Sequence, residues 1–291
     1  MSRPSVSLTL LSRLARAIPA SWDDALARGV AAAAALVMPE RHAGARANAA
    51  ALFPEQDAES IARRAERAYA RFLMEYLREV GRGSAGEATR NPLTIGPGVE
   101  EALAAGRGLV MCTAHLGNWE MGARALARLG RPVTIVAEPQ YAPSWRAAVR
   151  ASKRAGGMEV VAPDVSPRPL VRALEQGAVI GLLIDVMHYA HGRVTRVAGL
   201  DAPLPTGPAR LAALSGAVLA GGTCFRVAPD RFASQLAALA GTERAPVRDA
   251  DALHAASARW LEDLLLAHPG EWCLFRPFFE PAGLARARRA A

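Results

Sequence analysis

The sequence is poor in cysteine and in aromatic residues. Its three cysteines, Cys112, Cys224 and Cys273, are widely spaced and form no Cys-x-x-Cys pair. Neither a disulfide framework nor a zinc site is therefore predicted, and a reduced cytosolic setting is the simplest expectation. Aromatic residues make up only 5% of the chain, and no zinc-finger, RNA-recognition or helix-turn-helix pattern is present. A nucleic-acid partner is not expected.

Several common catalytic and nucleotide-binding motifs are also missing. The chain has no Gly-x-Ser-x-Gly sequence, so the nucleophile elbow of a serine hydrolase is not supported. It has no Gly-x-x-x-x-Gly-Lys-Ser/Thr loop, which argues against a nucleoside triphosphatase. Gly96–Gly98 and Gly221–Gly222 do not have the spacing of a dinucleotide-binding fingerprint.

No apolar run near the N-terminus is long enough for a membrane span. The stretch Val30–Met38 is far shorter than the roughly 20 apolar residues that a spanning helix needs. Residues 5–37 instead carry an apolar stripe that includes Leu8, Leu11 and Leu14, with arginines beside it. This pattern predicts helices that lie on a membrane surface. The alternative is that these helices pack on the protein's own core.

Lysine is almost absent, although the chain is strongly basic. The formal charge is +8 and Lys153 is the only lysine, so nearly all of the positive charge is arginine. Enrichment of arginine and alanine by a GC-rich genome is one explanation of this bias. The charge still has a physical consequence, because basic proteins are attracted to anionic surfaces. Anionic lipid headgroups and an acidic carrier protein are the partners that fit it best.

The chain is predicted to form a single continuous domain, in which a helical N-terminal region, residues 1–90, packs on an α/β region, residues 91–291. Apolar residues recur with a helical period between Ile61 and Val80. Beyond residue 90, short β-rich runs alternate with helical segments, which predicts an α/β fold with a mostly parallel open sheet flanked by helices. The predicted strands are Gly108–Thr113, Pro132–Ala137, Met158–Val161, Ala178–Ile184, Ala217–Val227 and Arg231–Leu239. The predicted helices lie near residues 119–129, 144–155, 168–176, 207–215 and 251–267.

The most informative motif follows the first of these strands. His115 lies in the predicted turn after the strand, and Glu120 lies in the first turn of the next helix. This spacing predicts that the Glu120 carboxylate contacts one imidazole nitrogen of His115, which leaves the other nitrogen free to take a proton from a hydroxyl group. A His-x4-Glu pattern alone also arises by chance, but its position at a strand's carboxyl end favours a functional site.

Other polar residues follow predicted strands in the same way. Glu138 and Asp185 each come directly after a strand, so they are expected near His115 at one edge of the sheet. A turn or helix cap is the alternative role for such a residue. His188 and His191 have a spacing that suits a metal ion, but no further ligand is close in sequence, so no metal site is predicted.

Arginines recur at every fourth position in the segment before Met158. Arg146, Arg150 and Arg154 therefore share one face of a predicted helix. Such a face binds the phosphate or carboxylate groups of a substrate. A simple solvated basic face is the alternative.

Five blocks of the sequence, in this order, resemble one protein family. The segment His115–Glu120 is similar to the His-x4-Glu signature of the bacterial lipid A late acyltransferases, the lauroyl/myristoyl transferase family of the lysophospholipid acyltransferase superfamily. The other blocks that resemble this family are Arg46–Pro54, Leu174–Asp185, Thr206–Ala217, and His268–Trp272 with Arg276 and Phe278.

The resemblance implies an O-acyltransferase of lipid A biosynthesis. Such an enzyme moves a fatty acyl group from an acyl carrier protein or coenzyme A thioester to a hydroxyl of a membrane glycolipid, and it needs no cofactor beyond that co-substrate. It implies a peripheral location on the cytoplasmic face of the cell inner membrane. Another lipid acceptor, such as a lysophospholipid or an aminolipid, is an open alternative. A catalytically idle, membrane-associated lipid-binding protein is another.

The resemblance also implies roles for individual residues. His115 is expected to act as general base and Glu120 to fix its tautomer and stabilise the imidazolium. Asn118, Arg150, Arg154 and Asp185 are expected to bind substrate. We further expect backbone amides near Gly117 and Asn118, at a helix N-terminus, to stabilise the oxyanion of the transition state.

Overall fold

The N-terminal region is a layer of helices around one long amphipathic helix. The computed structural model describes residues 8–80, 82, 86–137, 150–187, 192–239 and 245–279. Helices α1 (Leu8–Ala17), α2 (Asp23–Val37) and α3 (Pro39–Leu52) all pack on α4 (Ala58–Glu79). The Asp57 side chain caps α4 by accepting a hydrogen bond from the Glu59 amide.

A short helix, α5 (Glu87–Arg90), leads into a seven-stranded sheet in the order β1-β9-β8-β2-β5-β3-β4. Five neighbouring strands are parallel, and β9 runs antiparallel to β8 with β1 parallel to β9. This mostly parallel sheet, flanked by helices, confirms the predicted α/β fold. The strands are β1 (Leu93–Ile95), β2 (Leu109–Thr113), β3 (Val133–Val136), β4 (Met158–Val161), β5 (Val179–Leu183), β8 (Val218–Ala228) and β9 (Arg231–Ala238).

Both faces of the central strands are buried, which is why they are continuous apolar runs. On β2, Val110 and Cys112 pack into the core on one face of the sheet, and Leu109 and Met111 pack into the core on the other. The helices of this region are α6 (Pro97–Ala104), α7 (Trp119–Leu126), α8 (Pro167–Glu175), α9 (Gly207–Ser215) and α10 (Ala250–Ala267). Residues 150–155 are also helical.

Some elements were not predicted from the sequence. Strand β1 and helix α6 are short, so they carry little periodic signal. Strands β6 (Gly192–Val197) and β7 (Leu200–Pro205) form an antiparallel hairpin. Its two-residue loop, Ala198 and Gly199, has φ values of 50° and 72°, which is the left-handed geometry that a tight hairpin needs.

The side chain of Asn48 connects the N-terminal helices to the C-terminal segment. The Asn48 side chain on α3 donates hydrogen bonds to the carbonyl oxygens of Leu274 and Arg276 and accepts one from the Phe278 amide. The C-terminal segment is thereby fixed against the N-terminal helices. Among the helices that the structure describes, each is too short or too polar to cross a bilayer.

Candidate active site

His115 and Asp185 lie side by side because of the register between two strands. Thr113 on β2 is paired with Leu183 on the parallel strand β5, so the residues two positions further along emerge together at the carboxyl edge of the sheet. His115 Nδ1 lies 3.0 Å from Asp185 Oδ1, and the His115 amide donates to Asp185 Oδ2 at 2.8 Å. Trp272 Nε1 donates to the same Oδ2 at 2.8 Å.

This arrangement keeps the Asp185 carboxylate ionised although it is completely buried. Burial alone would raise its pKa, but the charge and hydrogen bonds of His115 and the hydrogen bond from Trp272 outweigh burial and lower the pKa. A carboxylate can only accept hydrogen bonds, so the proton of neutral His115 resides on Nδ1. Nε2 is then left as the free basic nitrogen.

The prediction that Glu120 contacts His115 is wrong. Glu120 Oε2 instead accepts a hydrogen bond from Lys153 Nζ at 2.6 Å. The physical reason is that Asp185 already occupies the Nδ1 side of the imidazole, while the aromatic ring of Trp119 packs edge-on against His115 with its centroid 5.0 Å away. Glu120 faces the helical residues 150–155, where Lys153 is largely buried.

Asp185 and Asn118 were both predicted to bind substrate, and the structure gives both of them internal roles. Asp185 is completely buried, and its carboxylate forms hydrogen bonds with the His115 amide, the His115 imidazole and the Trp272 indole. Asn118 is the N-cap of α7 and accepts a hydrogen bond from the Met121 amide at 3.0 Å. Its amide nitrogen donates to buried Glu75 at 2.5 Å. Both side chains are thus engaged in hydrogen bonds within the described part of the protein, and their predicted contact with substrate stays a prediction.

The expected oxyanion site at Gly117 and Asn118 is also contradicted. The Gly117 amide donates to the Glu271 carbonyl at 3.3 Å, and the Asn118 amide donates to the Cys224 carbonyl at 2.8 Å. Both donors are therefore already used. Gly117 has a φ of +63°, a conformation that favours glycine. This turn directs the two amides towards the carbonyl oxygens of Glu271 and Cys224.

The C-terminal segment, residues 271–273, holds the loop that carries His115 in place. The sequence pattern did not predict this role. Leu116 forms a β-bridge with Trp272, and the Cys273 amide donates to the His115 carbonyl at 2.7 Å. Trp272 is buried in the core, and its indole N–H also donates to Asp185, a contact that no local sequence signal indicated.

A large cavity opens at this edge of the sheet, with a volume of about 1330 Å³. His115, Trp119 and Glu120 lie on its wall, and apolar side chains make up most of the rest. One aliphatic side is formed by residues from β5, α8 and α9 and the loops beside them: Leu170, Leu182, Val186, Pro208, Leu211 and Leu214. Such a long apolar space next to a basic nitrogen suits an acyl chain.

The cationic residues of the helix at 150–155 do not all face this cavity. Arg150 and Lys153 line it, whereas Arg154 lies outside its lining, although both arginines are exposed to solvent. The structure thus separates Arg150 from Arg154, which the sequence placed on one face. Lys153 was not singled out as a site residue, although its status as the only lysine was a usable signal. Glu138, Arg146, His188 and His191 lie outside the described residues.

The cysteines offer no activated nucleophile. Burial raises the pKa of Cys112 and of Cys224 to about 12, and it raises the pKa of Cys273 as well. The thiolate is the nucleophilic form, so these groups are inert near neutral pH. No cluster of three or more histidine, cysteine or acidic residues suited to a metal ion occurs in the part of the chain that the structure describes.

Comparison with known proteins identifies a family and two relatives. The model of the family described as bacterial lipid A biosynthesis acyltransferase matches residues 7–280. Phosphatidylinositol mannoside acyltransferases of two Mycobacterium tuberculosis strains, CDC 1551 / Oshkosh and ATCC 25618 / H37Rv, are each 29% identical to the chain over 196 residues. The aligned part covers 66% of this chain and 60% of each relative, so less than two thirds of those relatives' length is matched.

Proposed function

Since the chain belongs to the bacterial lipid A biosynthesis acyltransferase family, we propose that it transfers a fatty acyl group from a thioester donor to a sugar hydroxyl of a membrane glycolipid. The donor is acyl carrier protein or coenzyme A carrying the acyl chain. The observation that carries this proposal is the His115–Asp185 pair, whose free imidazole nitrogen adjoins a large apolar cavity. The relatives named for phosphatidylinositol mannoside, like the family named for lipid A, have acceptors that are glycolipids.

His115 is the general base in this mechanism. Its Nε2 takes the proton of the acceptor hydroxyl while the hydroxyl oxygen attacks the thioester carbonyl carbon. Asp185 stabilises the imidazolium that forms and holds the ring in one tautomer. The tetrahedral intermediate then collapses, the carbon–sulfur bond breaks, and the imidazolium returns its proton to the departing thiolate. An ester and a free thiol result, with no acyl-enzyme.

We assign Lys153, instead of the backbone amides of Gly117 and Asn118, as the hydrogen-bond donor to the oxyanion. Its ammonium has three N–H groups, and one of them is directed at Glu120. The remaining N–H groups have no partner among the described residues, and we assign them to the negative oxygen of the tetrahedral intermediate because Lys153 lines the same cavity as His115. Glu120 is then a positioning residue, because it acts through Lys153.

Attachment to the membrane surface is part of the same proposal. Large apolar side chains on α1, at the end of the α1–α2 connection and on α2 are exposed to solvent: Leu10, Leu14, Trp22, Val30, Leu36 and Val37. Arg13 and Arg28 are exposed on the same two helices. Apolar and cationic groups together favour an anionic lipid interface, which supports peripheral attachment at the cytoplasmic face of the inner membrane.

The proposed function is tested by incubating the purified chain with palmitoyl–acyl carrier protein or palmitoyl-coenzyme A and with one glycolipid at a time. Phosphatidylinositol mannoside and a lipid A precursor are the first acceptors, and a lysophospholipid is the comparison. Mass spectrometry should detect a new O-acyl ester on a glycolipid together with release of free thiol. Acylation of the lysophospholipid alone would contradict the glycolipid assignment, and binding of lipid without thioester loss would indicate an idle lipid-binding protein.

A further inference from the structure

One side of the cavity is aromatic, unlike the aliphatic side described above. It consists of Tyr69 and Phe72 on α4, Trp119 and Phe275, and we call these four residues the aromatic wall; all of them line the cavity. Trp119 and Phe72 are stacked with ring centroids 3.9 Å apart, and Phe72 and Tyr69 are stacked at 5.8 Å. Tyr69 meets Phe275 edge-on at 5.1 Å. The wall begins at His115, whose ring contacts Trp119.

The aromatic wall ends at a cation. The Arg41 guanidinium on α3 lies 5.0 Å from the Tyr69 ring centroid and 4.6 Å from that of Phe275. Contact with the ring faces fixes the guanidinium without using its N–H groups. Within the described parts of the chain, Arg41 has no acidic partner, and its one side-chain hydrogen bond is a long contact of 3.6 Å to the sulfur of Met38. Arg41 and Arg276 both line the cavity.

A positioned guanidinium with free N–H groups is a binding site for an oxyanion. Arginine binds phosphate in a fork geometry that lysine cannot reproduce. Phe72 is buried within the wall, whereas Trp119 and Tyr69 are partly exposed. The flat face of Trp119 beside His115 can pack against the C–H groups of a sugar ring. An acyl chain does not require an aromatic surface. The aliphatic side of the cavity already supplies an apolar surface that suits such a chain. The two sides therefore match two different substrates.

We propose that the aromatic wall binds the glycosyl part of the acceptor and that Arg41, assisted by Arg276, binds a phosphate group of the same lipid. The reacting hydroxyl of the acceptor then lies at His115, and its phosphate lies at the far end of the wall. This proposal rests on the proposed acyl transfer. A phosphate of the thioester donor has the same chemistry, so the experiment must separate the two sources.

The phosphate part is tested with Arg41→Gln and with Arg46→Gln as the matched control. Arg46 is exposed on the same helix and lies outside the cavity lining, so both variants lose the same charge. The acceptors are phosphatidylinositol mannoside and neutral mannosyl diacylglycerol in mixed micelles. We expect Arg41→Gln to raise KM for the anionic acceptor about ten- to hundredfold, with kcat, the donor KM and the KM of the neutral acceptor within about twofold of wild type. Arg41→Lys should recover part of the loss.

Several results would overturn this assignment. An increase of the donor KM in Arg41→Gln would assign the phosphate to the thioester donor. Equal effects of Arg41→Gln and Arg46→Gln would show that only the general surface charge matters, and equal losses with both acceptors would show that Arg41 supports the fold. If wild type acylates neither glycolipid but does acylate another lipid, the proposed function fails and this inference fails with it.

The glycosyl part is tested by Trp119→Leu, which removes the partly exposed aromatic ring beside His115 and keeps an apolar side chain. We expect KM to rise several-fold for both mannosylated acceptors while the donor KM and the preferred acyl chain length stay unchanged. A shift in acyl chain preference at unchanged acceptor KM would instead assign the aromatic wall to the acyl chain.

Discussion

Replacing Asp185 by Asn changes which tautomer of the His115 imidazole is favoured, while the side chain at position 185 keeps its size. The Asp185 carboxylate accepts from the His115 amide, from His115 Nδ1 and from the Trp272 indole. An asparagine has one acceptor oxygen and one NH₂ group, so its NH₂ must face at least one of these donors. Where it faces Nδ1, the imidazole is favoured in the other tautomer, and the proton then blocks Nε2.

The expected loss in kcat for Asp185→Asn is about 10²- to 10⁴-fold, because the general base is in the wrong tautomer and its imidazolium is no longer paired. Stability should also fall by about 1–3 kcal/mol for a buried donor left without an acceptor. The assay is single-turnover transfer from acyl–acyl carrier protein to phosphatidylinositol mannoside. Asp263→Asn, an exposed aspartate on α10, is the matched control and should behave as wild type.

Two further measurements separate catalysis from folding in this variant. In a His115→Ala background, Asp185→Asn should lower kcat by little more, because the two residues act as a unit. The pKa of Asp185 is lowered in the folded state, so its stabilising contribution is present above the unfolded pKa of about 4 and is lost as the pH falls through the lower folded pKa. The difference in stability between wild type and Asp185→Asn should therefore shrink in acid. Transfer by Asp185→Asn within a few-fold of wild type would refute the reasoning.

Other substitutions test the remaining parts of the site and the membrane surface. Arg150→Ala should raise KM for an anionic substrate about tenfold or more in steady-state kinetics, whereas Arg154→Ala should not, since only Arg150 lines the cavity; equal effects would refute this separation. Lys153→Met should lower kcat at least about tenfold with little change in KM, and an unchanged kcat would remove Lys153 from the oxyanion site. Leu36→Asp should weaken binding to phosphatidylglycerol vesicles about tenfold in sedimentation assays, because burial of a leucine is worth roughly 1.5–3 kcal/mol. Leu266→Asp, on α10, is the control. Equal binding by both variants would contradict the proposed surface.

Much of the sheet was predictable because its strands are separate apolar runs. The predicted strand Met158–Val161 and the predicted helix at residues 207–215 have the same bounds in the structure. The other predicted strands differ from the observed ones by one residue at one or both ends. The β6–β7 hairpin was not predictable in this way, because prolines and alternating polar residues replace the apolar runs in its strands.

The sequence predicted where the site lies, but it did not predict which of its side chains contact each other. His115 and Asp185 were both placed at the carboxyl edge of the sheet, yet their contact depends on the register between β2 and β5, which one sequence does not reveal. Sequence spacing pointed to Glu120 instead, since it is close to His115 along the chain. The Glu120–Lys153 pair depends on how a distant helical segment packs, so no local pattern could indicate it.

The most direct test of the central claim is single-turnover transfer by His115→Gln, measured with radiolabelled acyl–acyl carrier protein and phosphatidylinositol mannoside at saturating concentrations. If His115 is the general base, the rate should fall about 10²- to 10⁴-fold, with acceptor binding and thermal stability close to wild type. Quenching the wild-type reaction in acid should yield no acyl group covalently attached to the protein. A His115→Gln rate within a few-fold of wild type would contradict the proposed mechanism, as would a labelled acyl-enzyme that forms and decays at the rate of turnover.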